Sequence, residues 1–154
     1  MDRLISGFHQ DEQGDWVAEL SCLHGQHVRH RPPFTNRPWT SSEEGRNSML
    51  GSSLNCVCCD RLEMPGSLSM IKQTMHFTES TMPKYLIQGH MLEKGCWAKI
   101  VVLEGALGYS RLSPANEKRH IDSSHPDTIA PNQVISLKPE GPVLFYLELY
   151  TLPV

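Results

Sequence analysis

The stretch WVAELSCLH, residues 16–24, decides how the first part of the chain folds. If the segment is extended, its period of two puts one set of alternate residues on a single face, and that set is Trp16, Ala18, Leu20, Cys22 and His24. On an extended strand Cys22 and His24 project from the same face and can grip one ion together. A second cluster, CVCC at residues 56–59, offers further thiols. Two clusters that each supply two soft or borderline ligands predict a structural zinc site.

The ligands that we expect for this zinc ion are Cys22, His24, Cys56 and Cys59. They would fill all four positions of a tetrahedral ion and leave none for a substrate or an activated water. Spacing leaves two choices open, since Cys58 could replace Cys59, and His27 or His30 could replace His24. The competing interpretation is that the thiols are only packing residues, because free cysteine behaves as a small hydrophobe.

Charge and length limit the classes of function. The 154 residues suffice for one domain or two small ones. Residues 1–66 hold 6 Lys or Arg against 9 Asp or Glu, and residues 67–154 hold 8 against 8, which gives −3 and 0. Neither half has the net positive charge that phosphate contacts need, so we expect no nucleic-acid partner. This holds although residues 24–39 mix His and Arg with aromatic residues.

The sequence predicts a cytosolic protein without a membrane span. Its longest apolar run is the short IVVL at residues 100–103, and the opening MDR has no basic segment of the secretory type. Five cysteines, an odd number, argue against a disulfide framework and for thiolate ligands.

The run MPGS at residues 64–67 is the clearest linker, because Pro and Gly follow the second cysteine cluster and a new strand pattern begins beyond them. It predicts a zinc-ribbon-like module over residues 1–66 and a second domain over residues 67–154. A first domain of this size would bury only a thin core, so a metal staple there is physically sensible.

The predicted secondary structure is mainly β. In the first part, residues 1–8 form a strand, and residues 9–15 form a turn that leads to the strand carrying Cys22. A capping box at residues 41–44 starts a short helix that ends at Gly51. In the second part we predict seven strands, at residues 71–77, 84–89, 97–103, 106–112, 127–129, 134–137 and 143–149. Many short strands without a helical period are typical of a sandwich or barrel.

Several motifs of the first part resemble a small bacterial domain family of unknown function. They are GFHQDE at residues 7–12, GDWVAEL at 14–20, CLHGQHVRHRPPF at 22–34, RPW at 37–39, and CVCCDR at 56–61. The resemblance implies a metal-binding module. Cys58 falls at a variable place in the family pattern, which favours Cys59 as the ligand.

The second part is similar to the TehB/YeaR-like family through FTE at residues 77–79, MP at 82–83, WAKIVVLEG at 97–105 and GPVLFYLE at 141–148. These are cupin-like β-sandwich domains, found alone or fused ahead of a tellurite-resistance methyltransferase. The resemblance implies a jelly roll and a role near oxyanion or reactive-nitrogen stress. It places His90 and Glu148 in a cavity, with Asn132 where relatives often carry His. The His-x-His signature of cupins and a Gly-rich methyltransferase motif are both missing, so methyl transfer is not implied.

Three functions follow from these residues. The first is a binding protein without catalytic residues, in which zinc is structural and the cavity takes a small molecule or anion. The second is an enzyme that uses a second divalent metal ion held by His90 and Glu148. The third is a thiol sensor in which Cys56, Cys58 and Cys59 exchange zinc for a disulfide. We expect His120 and His125, which lie in a polar stretch, to face solvent.

Overall fold

The computed structural model describes residues 1–113 and 116–153. The chain divides into two compact units, Met1–Arg61 and Leu62–Val154. Both are built mainly from antiparallel strands. Within the described residues, no helix combines the length and the apolar character that a membrane crossing requires.

The first unit holds four strands and three short helices. The strands are β1 (Asp2–Gln10), β2 (Trp16–Leu20), β3 (Gly25–His27) and β4 (Ser53–Asn55). The helices are a 3-10 helix (Pro38–Ser41), α1 (Glu43–Ser48) and α2 (Val57–Asp60). The strands form one antiparallel sheet in the order β3-β2-β1-β4. Strand β1 pairs with β4 near its start and with β2 over the rest, with an irregularity between Ile5 and Gly7.

The short helix α1 begins differently from the predicted capping box. Ser42 is the N-cap, and its hydroxyl accepts a hydrogen bond of 3.0 Å from the backbone N–H of Gly45. Gly45 occupies the third helical position and has no side chain to reach back, so only half of a capping box forms. The helix ends at Ser48, and Gly51 follows in the turn with φ +81°.

Over its described residues, 62–113 and 116–153, the second unit holds nine strands and one helix. They are β5 (Ser69–Gln73), β6 (Phe77–Thr78), α3 (Lys84–Gln88), β7 (His90–Met91), β8 (Trp97–Glu104), β9 (Ala106–Ser113), β10 (Glu117–Asp122), β11 (Asp127–Ile129), β12 (Val134–Pro139) and β13 (Leu144–Thr151). One antiparallel sheet has the order β10-β9-β12-β7. The other has the order β11-β8-β13-β5, with β6 also on β13.

A single hydrophobic core joins the two sheets of the second unit. Strands β8 and β13 contribute Ile100, Phe145 and Leu147, while β9 and β12 contribute Leu107 and Leu137. Residues of both sheets alternate between this core and the outer faces, which is the period-two pattern expected of half-buried strands.

The bend between β8 and β9 requires the glycine that the sequence provides. Gly105 has φ +75°, a left-handed conformation that side chains rarely adopt. A Cβ atom at this position would meet the carbonyl oxygen of Pro142 at 2.0 Å. The glycine therefore permits both the turn and the close approach of the backbone at Pro142.

The structure corrects the predicted strand at residues 84–89, which is the helix α3. Pro83 precedes it as the N-cap, and only Leu86 is buried while its neighbours on the helix are more exposed. Five residues are too few to show a helical period. The predicted strand at residues 71–77 is also split into β5 and β6, and the polar stretch that follows residue 116 forms an additional strand, β10. His120, on β10, and His125 are exposed, as predicted.

Candidate metal centre

Four side chains of the first unit converge on one point, and they are Cys22, His24, Cys56 and Cys59. Their ligand atoms all lie within 4.8 Å of one another. Each residue is buried, with exposed fractions of 0% for Cys22, 8% for His24, 1% for Cys56 and 0% for Cys59. This arrangement could hold a metal ion such as zinc.

The distances around His24 match the geometry of a tetrahedral ion. Its Nδ1 atom lies 3.4 Å from Sγ of Cys22, 3.5 Å from Sγ of Cys56 and 3.6 Å from Sγ of Cys59. Zinc bonds of about 2.3 Å to sulfur and about 2.0 Å to nitrogen, at the tetrahedral angle, separate nitrogen and sulfur by about 3.5 Å. The three nitrogen-to-sulfur distances are therefore those that a tetrahedral zinc ion would require, with Nδ1 as the nitrogen ligand.

The first pair of ligands lies on a turn and not on one face of a strand. Strand β2 ends at Leu20, and Leu23 adopts a positive φ of 74°. The backbone N–H of Leu20 donates to the carbonyl of His24 at 2.9 Å, and that of Leu23 donates to the carbonyl of Leu20 at 2.8 Å. The expectation of an extended segment through residue 24 was wrong, yet the tight turn brings the same two side chains to one point.

The second pair of ligands is placed by the short helix α2. Cys56 is the N-cap residue with extended backbone angles, and Cys59 lies within the first turn. Residues three apart on a helix lie on the same side, so both thiols face inward. Cys58 is only half-buried and is not part of the converging group.

The other candidate nitrogen ligands are engaged elsewhere. His27 is exposed, and its Nε2 pairs with the carboxylate of Asp11 at 2.8 Å. Nδ1 of His30 accepts a hydrogen bond of 3.0 Å from the backbone N–H of Arg37. Among the three histidines that the sequence left open, the structure brings His24 to the thiols.

The close packing of the side chains shifts the pKa values of His24, Cys56 and Cys59. Burial alone would lower the pKa of His24, but hydrogen bonds and attraction to Cys22 and Cys56 raise it to about 9. Hydrogen bonds with Cys22 and Cys59 lower the pKa of Cys56. Those with Cys22 and Cys56 raise the pKa of Cys59. Three thiolates cannot share so small a buried volume without positive charge, and a divalent ion supplies that charge.

Arg3 is a component of the centre that the sequence analysis missed. It lies on β1, is only 4% exposed, and its charge opposes the rise in the pKa of Cys59. A zinc ion with three thiolates and a neutral imidazole would have a net charge of −1, which the positive charge of Arg3 would offset. The alternation of β1 between exposed and buried positions places residue 3 inward and is the signal that could have found it.

The three residues predicted for a cavity in the second unit are not brought together. His90 lies on β7, while Glu148 lies on β13 in the other sheet. Glu148 projects from the face opposite the buried Phe145 and Leu147, and its carboxylate accepts a hydrogen bond of 2.6 Å from the hydroxyl of Tyr150.

The surroundings of His90 and Asn132 differ as well. His90 is half-buried with its ring centre 4.8 Å from that of Tyr85, and burial lowers its pKa. Asn132 is exposed, and its backbone, with φ 55°, forms the turn that leads into β12. These positions describe three separate environments, so they form no shared metal site.

The fold and the centre define a class of protein: a small β-module with a buried three-cysteine, one-histidine cluster, followed by a domain of two antiparallel sheets. A family model described as a protein of unknown function (DUF3565) matches residues 6–63. The model of the TehB-like domain matches residues 72–147. Residues 6–63 thus match the first family and residues 72–147 the second, and both resemblances seen in the sequence are confirmed.

Solved structures that are similar to this chain include the following two. A crystal structure of a protein from Escherichia coli strain K12, a structural-genomics target, has a TM-score of 0.55 and 17% identity over 60% of this chain and 99% of its own. The crystal structure of TehB from Haemophilus influenzae has a TM-score of 0.52 and 21% identity over 56% of this chain. The match spans 32% of TehB, about a third of its length. The search of curated proteins found no match.

Proposed function

We propose that this is a two-domain binding protein in which a structural zinc ion holds the first unit folded and the second unit binds a small molecule or anion. The observation that carries the proposal is the buried group of Cys22, His24, Cys56 and Cys59, with its nitrogen-to-sulfur distances of 3.4–3.6 Å. Because protein ligands would fill all four positions of the ion, the metal serves stability and not catalysis.

The finer description of the two folds is part of the same proposal. We interpret the first unit as zinc-ribbon-like, since a turn and a short helix each supply two ligands. We interpret the second unit as a cupin-like jelly roll, since two antiparallel sheets share one core. In such sandwiches ligands enter between the sheets, where a few polar groups point into an apolar interior.

The wider role that we propose is in the response to oxyanion or reactive-nitrogen stress in the cytosol. It is supported by the TehB-like domain, which this chain shares with TehB. The chain spans only about a third of TehB, so we propose no activity of the whole relative for it. A metal-dependent enzyme is less well supported, because Glu148 projects from the face of β13 opposite the core and Asn132 is exposed.

A thiol sensor is the second candidate, and Cys58 favours it. This half-buried thiol adjoins the buried ligand Cys59. An oxidant such as hydrogen peroxide could take two electrons from a pair of these thiolates, forming a disulfide and water and releasing zinc.

Metal analysis of freshly purified protein tests these functions. We expect one zinc ion per chain that survives extensive dialysis, and no second tightly bound transition metal. A chain that purifies without metal, and gains no stability when zinc is added, would contradict the structural role. Stoichiometric zinc release at low peroxide, with Cys58→Ser protecting the site, would favour the sensor.

A further inference from the structure

The interior of the second unit contains a buried guanidinium group with unused hydrogen-bond donors. Arg111 lies on β9 and is only 8% exposed. Its Nη2 donates to the carboxylate of Glu117. Its Nε and Nη1 atoms are buried and have no acceptor among the described residues. Buried donors of a charged group are costly to leave unpaired, so acceptors from outside the described chain are needed here.

A second unused donor lies in the same region of the core. Gln133 precedes β12 and is fully buried. Its Oε1 accepts a hydrogen bond of 3.2 Å from the backbone N–H of Ala130. Its Nε2, however, has no acceptor within hydrogen-bonding geometry in the part of the chain that the structure describes. The amide is thus oriented by one bond and presents its nitrogen to the interior.

Tyr109 connects the two groups. It lies two residues before Arg111 on the same face of β9 and is 1% exposed. Burial raises the pKa of Tyr109 to about 12, whereas interactions with Gln133 and with the charge of Arg111 oppose that rise. Gln133 lies two residues before Ile135, and Ile135 is opposite Arg111 on the neighbouring strand, so both side chains lie at the same point of the sheet.

The strand register shows that this point lies on the core face of the sheet. Arg111 is opposite Ile135 on β12, and Tyr109 is opposite Leu137. Ile135 and Leu137 are fully buried, and residues opposite one another on neighbouring strands project from the same face. The donors consequently face the space between the two sheets.

The surrounding charges restrict what could bind. Nε of Arg119 pairs with Glu117 at 3.0 Å, and its Nη1 pairs with Asp127 at 3.0 Å. Arg119 thus forms ion pairs with two carboxylates, and one of these, that of Glu117, also pairs with Arg111. The two cations and two anions balance, so every negative charge on a ligand adds to the cost of binding, and a monovalent anion costs less than a divalent one.

The kind of donor restricts the ligand further. Nε and Nη1 of Arg111 and Nε2 of Gln133 can only donate, so the ligand must present acceptors, and a metal cation would find no ligand atom among them. A planar guanidinium group is best matched by a planar group with two or three oxygens. We propose that the second unit binds a small monovalent planar anion, of the carboxylate or nitrate type, through Arg111 and Gln133.

This inference rests on the ligand-binding half of the proposed function and names its site and ligand class. It is independent of the zinc ion, because all the residues involved belong to the second unit.

The test is a titration of the full chain, labelled with nitrogen-15 and loaded with zinc, followed by two-dimensional NMR at constant ionic strength. The titrants are sodium acetate and sodium nitrate, with sulfate as the divalent anion and acetamide as the neutral analogue of acetate. We expect saturable chemical-shift changes centred on Arg111 and Gln133 with acetate, nitrate or both. The anion that binds more tightly shows whether the site prefers a carboxylate or a nitrate-type group.

The matched variants are Arg111→Lys and Gln133→Met. The first keeps the positive charge but loses the paired donors of the planar guanidinium, and the second keeps the side-chain volume but loses the amide. Each should weaken binding about tenfold or more, as expected for a lost charge-assisted hydrogen bond. Lys118→Gln, at an exposed position of β10, should leave binding unchanged. If Arg111→Lys fails to fold, Gln133→Met still tests the site.

Three results would overturn the inference. Anion binding that neither variant weakens would place it elsewhere. Acetamide or sulfate binding as tightly as acetate and nitrate would show that a monovalent anion is not selected. The absence of any saturable shift with all four titrants would mean that ordered water satisfies these donors. That last result would also remove the support for ligand binding by the second unit, whereas the first two would leave the proposed function standing.

Discussion

Sγ of Cys56 lies 3.5 Å from Nδ1 of His24, although the two residues are 32 positions apart in the chain. One belongs to the end of a helix and the other to the turn after a strand, and neither element would be rigid by itself. Their approach closes the loop that contains the 3-10 helix and α1. A metal ion between them would fix that loop and the sheet together.

Replacing the two neighbouring thiols of α2 should have opposite effects on the metal. Cys59→Ser removes a buried member of the converging group and should lose the zinc, while Cys58→Ser removes a half-buried thiol outside it and should keep one zinc per chain. The metal content of the two purified variants, measured in parallel, shows which of the two thiols binds the zinc. Zinc lost from Cys58→Ser and kept by Cys59→Ser would move the second pair of ligands to Cys56 and Cys58.

Arg3 should tune the affinity of the centre without being a ligand. Arg3→Gln removes a positive charge close to the three thiolates, so the zinc affinity should fall. Residues that interact with metal ligands without binding the metal typically change its affinity by about ten to a hundredfold. Competition with a chromogenic chelator would measure the zinc affinity. Arg3→Lys serves as the control and should recover most of it. Equal affinities of the wild type and Arg3→Gln would show that Arg3 only packs.

The four members of the candidate metal centre could be picked out from the sequence, because clustered Cys and His at these spacings have few other uses. The turn that carries Cys22 and His24 could not, since the alternation of residues 16–24 gives no sign that the strand stops at Leu20. The positive φ of Leu23 is likewise invisible in a side-chain pattern, as leucine rarely adopts it.

In the second unit the long strands β8, β9, β12 and β13 were predictable from their apolar alternation. The helix α3 and the strand β10 were not, because one is too short to show a period and the other carries charged residues on both faces. The proposed grouping of His90 with Glu148 came from a resemblance, which does not show the face to which a side chain points. The inward position of Arg111, by contrast, follows from its period-two relation to Leu107 and Tyr109.

His90 should make the second unit less stable in mild acid. Burial lowers its pKa below the ordinary value of 6.5, so the unfolded chain binds a proton more readily than the folded one. The contribution of neutral His90 to the free energy of unfolding is fully present above pH 6.5. It is lost as the pH falls below 6.5 and through the lower pKa of the folded state. In His90→Gln this loss should be smaller.

Urea unfolding at several pH values, followed through amide signals of β8 and β13, would measure this difference. The zinc centre titrates equally in both proteins and cancels from the comparison. Parallel pH profiles for the wild type and His90→Gln would contradict the account.

Removing zinc from the intact chain, followed residue by residue by NMR, tests the central claim most directly. Structural zinc sites contribute on the order of 10 kcal/mol that is coupled to folding, more than a small β-module gains from its own thin core. Chelation should therefore collapse the dispersed signals of residues 1–61, leave those of the second unit in place, and be reversed by added zinc. Full dispersion of residues 1–61 in the metal-free protein would contradict a structural role for the metal.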